Sequence, residues 1–404
     1  MNARFALHID RCLTCRACEA VCPSKVGFGQ LIDGTRAMMQ FLPLDLSKER
    51  PKRKKSGFRK WMETELIAQP SRIDTLRSLA RFYQRSGLQK WLRRSGLLGK
   101  TRLALLEAQL PRIGSIGSIG SPAGGASSWR AVYRPVGEPR GEVALFLGCV
   151  ARLTDVETIN AGIAVLNKLG YAVHVPGMQT CCGALHQHGG DQPAAEQLAS
   201  QNMKAFNELD VSAIISMASG CGAQLSEYPV TSPPASQAHP QRNDAKLSVE
   251  TPASPQARYF NAKVFDIGEF LTAAAGWDGV SFAPLPYTIA VHEPCSLRNV
   301  LRASSHAYAL LARIPEARIV PLGGNDQCCG AAGTYFLDQP EMAQALLRDK
   351  LAAVEASGAR YLATSNVGCS MHIGSGLRKT VGETASGIEV LHPVTLLARQ
   401  MGII

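Results

Sequence analysis

The sequence predicts an α+β multidomain protein. It comprises a small helical N-terminal domain built round a cysteine loop, then two duplicated α/β domains with largely parallel sheets. Three observations predict this. Four cysteines crowd into residues 12–22, ahead of roughly a hundred residues with helical patterning. From Gly141 onward, short apolar runs alternate with helical stretches, as a parallel sheet with crossover helices requires. The eight later cysteines fall into two matching sets.

The N-terminal element is "RCLTCRACEAVCPS", residues 11–24. Cys12, Cys15, Cys18 and Cys22, followed by Pro23, have the C-x2-C-x2-C-x3-C-P spacing of a bacterial [4Fe–4S] ferredoxin. In paired ferredoxins the fourth cysteine ligates the other cluster, yet this run occurs once. Cys12, Cys15 and Cys18 are therefore expected to converge while Cys22 points away. Only eleven residues precede Cys12, so the expected sister motif is missing from the sequence, through a misplaced start or genuine loss.

A basic run, "KERPKRKKSGFRK", spans Lys48 to Lys60, and Pro51 keeps it from being one regular helix. An amphipathic segment follows around Trp61, Leu76, Leu79, Phe82, Leu88, Trp91 and Leu92. The run is either a solvated loop or a surface for anionic phospholipid or an acidic partner. Residues 111–128 are Gly/Ser-rich and aperiodic, as is the Pro/Ser-rich segment from Thr231 to about Ala257. The expected domains are 1–110, a linker at 111–140, 141–275 with its insertion at about 231–257, and 276–404.

"VALFLGC", "AIISMASGC", "YTIAVHEPC" and "RYLATSNVGC" each read as a strand running into a cysteine, with helices such as Ala161 to Leu169 and Glu341 to Ala356 between. Ligands bind beyond the carboxyl ends of such strands, where Cys149, Cys221, Cys295 and Cys369 lie. Cys149, Cys181, Cys182 and Cys221 form the first set; Cys295, Cys328, Cys329 and Cys369 form the second. Cys295 follows Cys149 by 146 residues, Cys328 follows Cys181 by 147, and Cys369 follows Cys221 by 148. "VFDIGEFL" at Val264 parallels "VLHPVTLL" at Val390 with a shorter offset, which marks the Pro/Ser-rich segment as an insertion. The chain is internally duplicated.

Adjacent cysteines diverge, which suits two irons of a cluster better than one tetrahedral zinc. Gly183 and Gly330, lacking a Cβ, would let backbone amides approach cluster sulfurs. The remaining composition is that of a globular chain. It has 404 residues, 46% of them hydrophobic and 19% charged, and a net charge of +11. No signal-peptide pattern follows Met1 and no 18-residue apolar run occurs. The expectation is a reducing cytosol, where clustered cysteines read as metal or redox ligands. No G-x-G-x-x-G joins a strand to a helix, so a dinucleotide site is not expected here.

The C-terminal two thirds resemble the cysteine-rich CCG domains shared by the B subunit of heterodisulfide reductase and the iron–sulfur subunit of glycolate oxidase. "ASGCGA", "CCGAAGTYFLDQPEMAQALLRDK" and "SNVGCSMH" look most like the glycolate oxidase subunit, and "RCLTCRACEAVCPS" is similar to its second ferredoxin motif. The resemblance implies a [4Fe–4S] ferredoxin-like domain and one or two further clusters on the CCG cysteines. It also implies FAD-containing partner subunits that convert glycolate to glyoxylate, with this subunit relaying electrons toward quinone at the inner face of the membrane. Neither a substrate site nor a nucleic-acid site is expected on this chain. Lactate or glycerol 3-phosphate are alternative substrates of the flavin subunit, and a thiol–disulfide reductase is an alternative function. The fullest CCG motif supplies a fifth cysteine per repeat, where this chain has Gln224 and His372. Four thiolates remain in each repeat, enough for an ordinary cubane. His372 is either a ligand or a neighbour of the ligands, as are His186 and His188.

Overall fold

The computed structural model describes residues 3–41, 62–97, 99, 101–111, 129–135, 137–228, 255–381 and 387–404. The basic run, Trp61, most of the Gly/Ser-rich linker and most of the Pro/Ser-rich insertion lie outside the described residues. Pro255, which the sequence reading left inside that insertion, opens a helix that runs to Ala262. Proline suits a first helical turn because its missing N–H is not needed there.

The N-terminal segment is helical: α1 (Ala3–Arg11), α2 (Ala17–Ala20) and α3 (Phe28–Phe41) surround the cysteine loop. Helices α4 (Pro70–Arg85), α5 (Leu88–Ser95) and α6 (Arg102–Gln109) follow. In α4 the buried positions are Ile73 and Arg77, one helical turn apart. The apolar stripe of this segment faces outward: Leu79 and Phe82 of α4, and Leu88 and Trp91 of α5, are exposed. Ile73 packs among apolar side chains of the first repeat, and Arg152 forms a bidentate ion pair with Asp74 that fixes α4 to it.

The first repeat contributes β1 (Val132–Tyr133), β2 (Gly141–Phe146), α7 (Val156–Lys168), β3 (Tyr171–His174) and α8 (Gln192–Asn207). It continues with β4 (Ala213–Ser216), α9 (Ser219–Ser226), β5 (Val264–Asp266) and α10 (Ile267–Ala273). The second contributes β6 (Thr288–His292), a π-helix at Ser296–Leu301, α11 (Ser305–Leu311), β7 (Arg318–Pro321) and α12 (Pro340–Ala356). It closes with β8 (Tyr361–Thr364), α13 (Val367–Val381), β9 (Glu389–Leu391) and α14 (Pro393–Gln400).

The sheet orders are β1-β3-β2-β4-β5 and β7-β6-β8-β9. All pairings are parallel except β1 with β3. Register repeats as well as order. Val143 faces Val173 and Ala213, and Ile289 faces Ile319 and Tyr361, at offsets of 146, 146 and 148, within one residue of those of the cysteines. A one-residue slip would turn each strand inside out, so matched register marks duplication of the whole core. In each sheet the chain crosses from one side of the central strand to the other, and ligands sit at that switch point.

One apolar core is shared by both repeats. Ile159, Val165 and Ile215 of the first pack in one cluster with Ile289, Leu310 and Leu397 of the second. The outer face of the first sheet carries Phe146, Phe206 and Phe260 together with Cys149, Cys181 and Cys182. The corresponding face of the second carries Leu362, Ile373, Cys329 and Cys369.

Candidate metal centres

The first quartet forms where three strands end. Cys149 follows β2, Cys181 and Cys182 follow β3, and Cys221 lies in the first turn of α9 after β4. The Sγ atoms of Cys149 and Cys181 are 3.5 Å apart. Cys182 hydrogen-bonds with Cys181 and with Cys221, which closes the set. Cys149, Cys181 and Cys182 are buried.

The second quartet repeats the pattern. Cys329 and Cys369 Sγ are 3.1 Å apart, and Cys328 bridges Cys295 and Cys329 by side-chain hydrogen bonds. The electrostatics repeat too. Hydrogen bonds from both neighbours hold the Cys181 thiol well below its ordinary pKa, and those from Cys295 and Cys329 do the same for Cys328. Their partners are pushed up, Cys149 and Cys295 by the same bonds and by burial. In each quartet the thiol that its neighbours hydrogen-bond is the one pulled down, and a bound metal would deprotonate the others.

The backbone leaves room beside the sulfurs. Gly183 and Gly330 have φ of 86° and 89°, and each N–H points to Cys181 Sγ or Cys328 Sγ at 3.5 Å. At Gly148, φ is 69° and a Cβ would sit 3.5 Å from Cys221 Sγ. In each quartet three buried thiols and a half-buried fourth, Cys221 or Cys295, with a backbone amide aimed at sulfur, fit an iron–sulfur cluster. Among the described residues no three His, Cys, Asp or Glu side chains close round a single ion.

The N-terminal loop docks against the second quartet. Burial raises the Cys15 pKa, and Cys328, Cys12 and Cys18 raise it further. Cys15 in turn acts on Cys295. Asn299, in the π-helix after Cys295, donates to the Cys15 carbonyl, and Tyr335 Oη donates to the Arg11 carbonyl at 3.0 Å. The buried Arg36 guanidinium donates to Cys12 O at 2.6 Å and His188 O at 2.9 Å. Arg16 pairs with Glu19 and Glu227, whose charges hold its pKa up. Cys18 is exposed.

The two quartets meet at a polar seam. Ser219 and Ser296 Oγ are 2.9 Å apart, Asn366 Nδ2 donates to Ser219 Oγ at 3.2 Å, and Ser219 N donates to Ser365 O at 2.9 Å. Ser219 is two residues from Cys221, and Ser296 adjoins Cys295.

The histidines occupy different surroundings. His186 is buried, with Nδ1 3.7 Å from Asp191 Oδ2, and its charge would favour the Cys181 thiolate. His188 Nδ1 lies 3.1 Å from Asp33 Oδ1. His372 Nδ1 lies 3.2 Å from Gln109 Nε2, which ties α13 to α6. Sequence reasoning missed Asn202, Tyr228 and Lys350. Asn202 donates to Cys181 O at 2.9 Å and Tyr228 Oη donates to Cys182 O at 3.1 Å, clamping the Cys-Cys peptide. Aligning the repeats through their helices would have exposed the first and third.

Fold and cysteines together define a duplicated cysteine-rich iron–sulfur protein. Residues 143–226 and 289–374 match the cysteine-rich domain family, and residues 54–110 match the linker region of the glycolate oxidase iron–sulfur subunit. The chain is 33% identical to a probable glycolate oxidase iron–sulfur subunit of Bacillus subtilis, over 98% of this chain and 82% of that one. It is 27% identical to the glycolate oxidase iron–sulfur subunit of Escherichia coli, over 93% of this chain and 79% of that one. It is also 27% identical to lactate utilization protein A of Geobacillus thermodenitrificans, over 63% of this chain and 98% of that one. The chain belongs to the glycolate oxidase iron–sulfur subunit family.

Proposed function

We propose that this chain is the electron-transfer subunit of a membrane-associated, flavin-dependent 2-hydroxyacid dehydrogenase, with glycolate as the hydroxyacid. In this reading Cys149, Cys181, Cys182 and Cys221 hold one cluster, and Cys295, Cys328, Cys329 and Cys369 another. Cys12, Cys15 and Cys18, with Cys22, belong to a ferredoxin-type [4Fe–4S] site within residues 1–110. Residues 141–275 and 276–404 are the two CCG domains, joined to it by the linker at 111–140. Iron–sulfur centres exchange single electrons, so the two-electron oxidation belongs to FAD on a partner subunit. Glycolate oxidation to glyoxylate there releases two electrons and two protons. The electrons pass one at a time along this chain, and a quinone accepts two electrons and two protons.

The observation that carries this reading is the proximity of the three cysteine sets. Asn299, four residues after Cys295, donates to the Cys15 carbonyl. The Cys15 charge acts on Cys295 and that of Cys328 acts on Cys15, and the Ser219–Ser296 pair joins the second quartet to the first. The chain's own residues supply the rest: Arg36, Asn299 and Tyr335 fix the loop, and Gly183 and Gly330 present amides to sulfur.

No helix among the described residues is long and apolar enough to cross a membrane. A peripheral attachment is supported by the outward Leu79, Phe82 and Trp91, at 61%, 69% and 58% exposure, beside exposed Arg85, Lys90 and Arg94. Apolar rows flanked by basic side chains suit the interface of an anionic bilayer.

The test is an anaerobic reduction of the assembled complex. Glycolate should bleach the iron–sulfur absorbance and develop electron paramagnetic resonance signals only when the FAD subunits are present. Faster reduction by lactate would move the substrate assignment to lactate. Disulfide cleavage by this chain alone would replace the relay reading with a thiol–disulfide reductase.

A further inference from the structure

The two quartets are alike in their thiols but not in the charge beside them. A Cβ at Gly183 would meet Ala195 O at 3.4 Å, and one at Gly330 would meet Ala343 O at 2.7 Å, so these alanines are equivalent, 148 residues apart. Helices α8 and α12 start at Gln192 and Pro340, again 148 apart. The same offset pairs Asn202 with Lys350. Both are fully buried, at 0% and 2% exposure.

Asn202 is a neutral link. Its Oδ1 accepts from Thr180 N at 2.8 Å, and its Nδ2 donates to Cys181 O at 2.9 Å and Tyr228 Oη at 2.8 Å. Lys350 brings an ammonium from the equivalent helix position. Its Nζ donates to the Gly324 carbonyl. Burial pulls its pKa down, while the charges of Cys329, Cys328 and Cys369 push it back up. The histidine facing this quartet adds no charge: burial and Lys350 drive His292 down to about 3, so it is neutral. In the first quartet the facing imidazole is His186.

An internal cation stabilises whichever state of its neighbour carries more negative charge, and low effective dielectric strengthens the effect. We propose that Lys350 raises the reduction potential of the second CCG centre above that of the first, so that electrons shared by the pair collect beside the ferredoxin loop. This rests on both quartets holding iron–sulfur clusters. Lys350 acts by its charge on the centre and needs no contact with substrate.

The test is a redox titration of the full chain, purified anaerobically and followed by electron paramagnetic resonance at pH 8.5, where an ordinary imidazole is uncharged. Cys182→Ser assigns the signal of the first centre. Lys350→Met should weaken reduction of the second centre about tenfold or more, about 59 mV for a one-electron couple, and leave the first unmoved. Lys350→Arg should keep the wild-type value. Asn202→Lys should raise the first centre by a similar factor, and it carries the test if Lys350→Met does not hold its cluster. An unmoved second potential in Lys350→Met, or an unmoved first potential in Asn202→Lys, overturns the proposal. Wild-type protein with no reducible signal from either quartet removes the iron–sulfur reading and the proposal with it.

Discussion

Asn299 Nδ2 donates a 2.7 Å hydrogen bond to the carbonyl oxygen of Cys15, joining residues 284 apart in sequence. It holds the N-terminal cysteine loop against the element that starts at Cys295. Asn299→Ala removes one bond worth about 1 kcal/mol, so opening of the loop should rise roughly fivefold. Hydrogen exchange of the amides between Cys12 and Cys22 measures this. Unchanged exchange would mean that Arg36 and Tyr335 alone fix the loop.

The two CCG glycines should respond unequally to alanine. Both have positive φ, which costs a residue with a Cβ about 1–2 kcal/mol. At Gly183 the added methyl meets Ala195 O at 3.4 Å, but at Gly330 it meets Ala343 O at 2.7 Å. Overpacking of that kind adds about 1–3 kcal/mol. Thermal unfolding of the purified variants should therefore show Gly330→Ala melting well below Gly183→Ala. Equal melting temperatures would contradict the packing described at α12.

Asp266 caps α10 by accepting from Gly268 N at 2.8 Å, and burial pushes its pKa up to about 7. The folded state keeps a proton that the unfolded chain loses near pH 4, so stability falls as pH rises from about 4 to about 7 and stays lowered above. Asn can still cap the helix without the charge. Asp266→Asn should gain on the wild type by a few kcal/mol, to order of magnitude, at pH 8 and hardly at all at pH 4. Denaturant titrations at the two pH values check it, and an equal effect at both would remove burial of the carboxylate as the cause.

Lys52, Arg53, Lys54 and Lys55 lie outside the described residues and precede in sequence the segment whose Phe82 and Trp91 face outward. If they help hold the complex on anionic lipid, attachment should weaken as salt rises, because exposed charges are screened. Reversing the four charges should shift the complex into the supernatant of a vesicle co-sedimentation assay. An unchanged distribution would leave the run as a solvated loop.

Much of this architecture was legible because duplication writes itself twice. The strands running into Cys149, Cys221, Cys295 and Cys369 were readable from short apolar runs, and β2, β4, β6 and β8 occupy them. Helix α4 was harder, since its amphipathic pattern does not say which face is covered. Arg77 is buried there, and Leu79 and Phe82 face outward. Periodicity identifies a stripe but not what covers it. The docking of the N-terminal cysteine loop was invisible, because Arg36, Asn299 and Tyr335 are single polar residues far apart in sequence. Lys350 was hidden by its type, since a lysine on a helix ordinarily faces solvent.

The most direct measurement of the central assignment is iron and acid-labile sulfide in anaerobically purified Cys182→Ser and Cys329→Ser chains, beside the wild type. Each variant should lose iron and one paramagnetic signal, each a different one, and Cys182→Ser should lose electron transfer while the flavin subunit still oxidises its hydroxyacid. Full iron content in either variant, with both signals intact, would contradict the assignment of the two quartets.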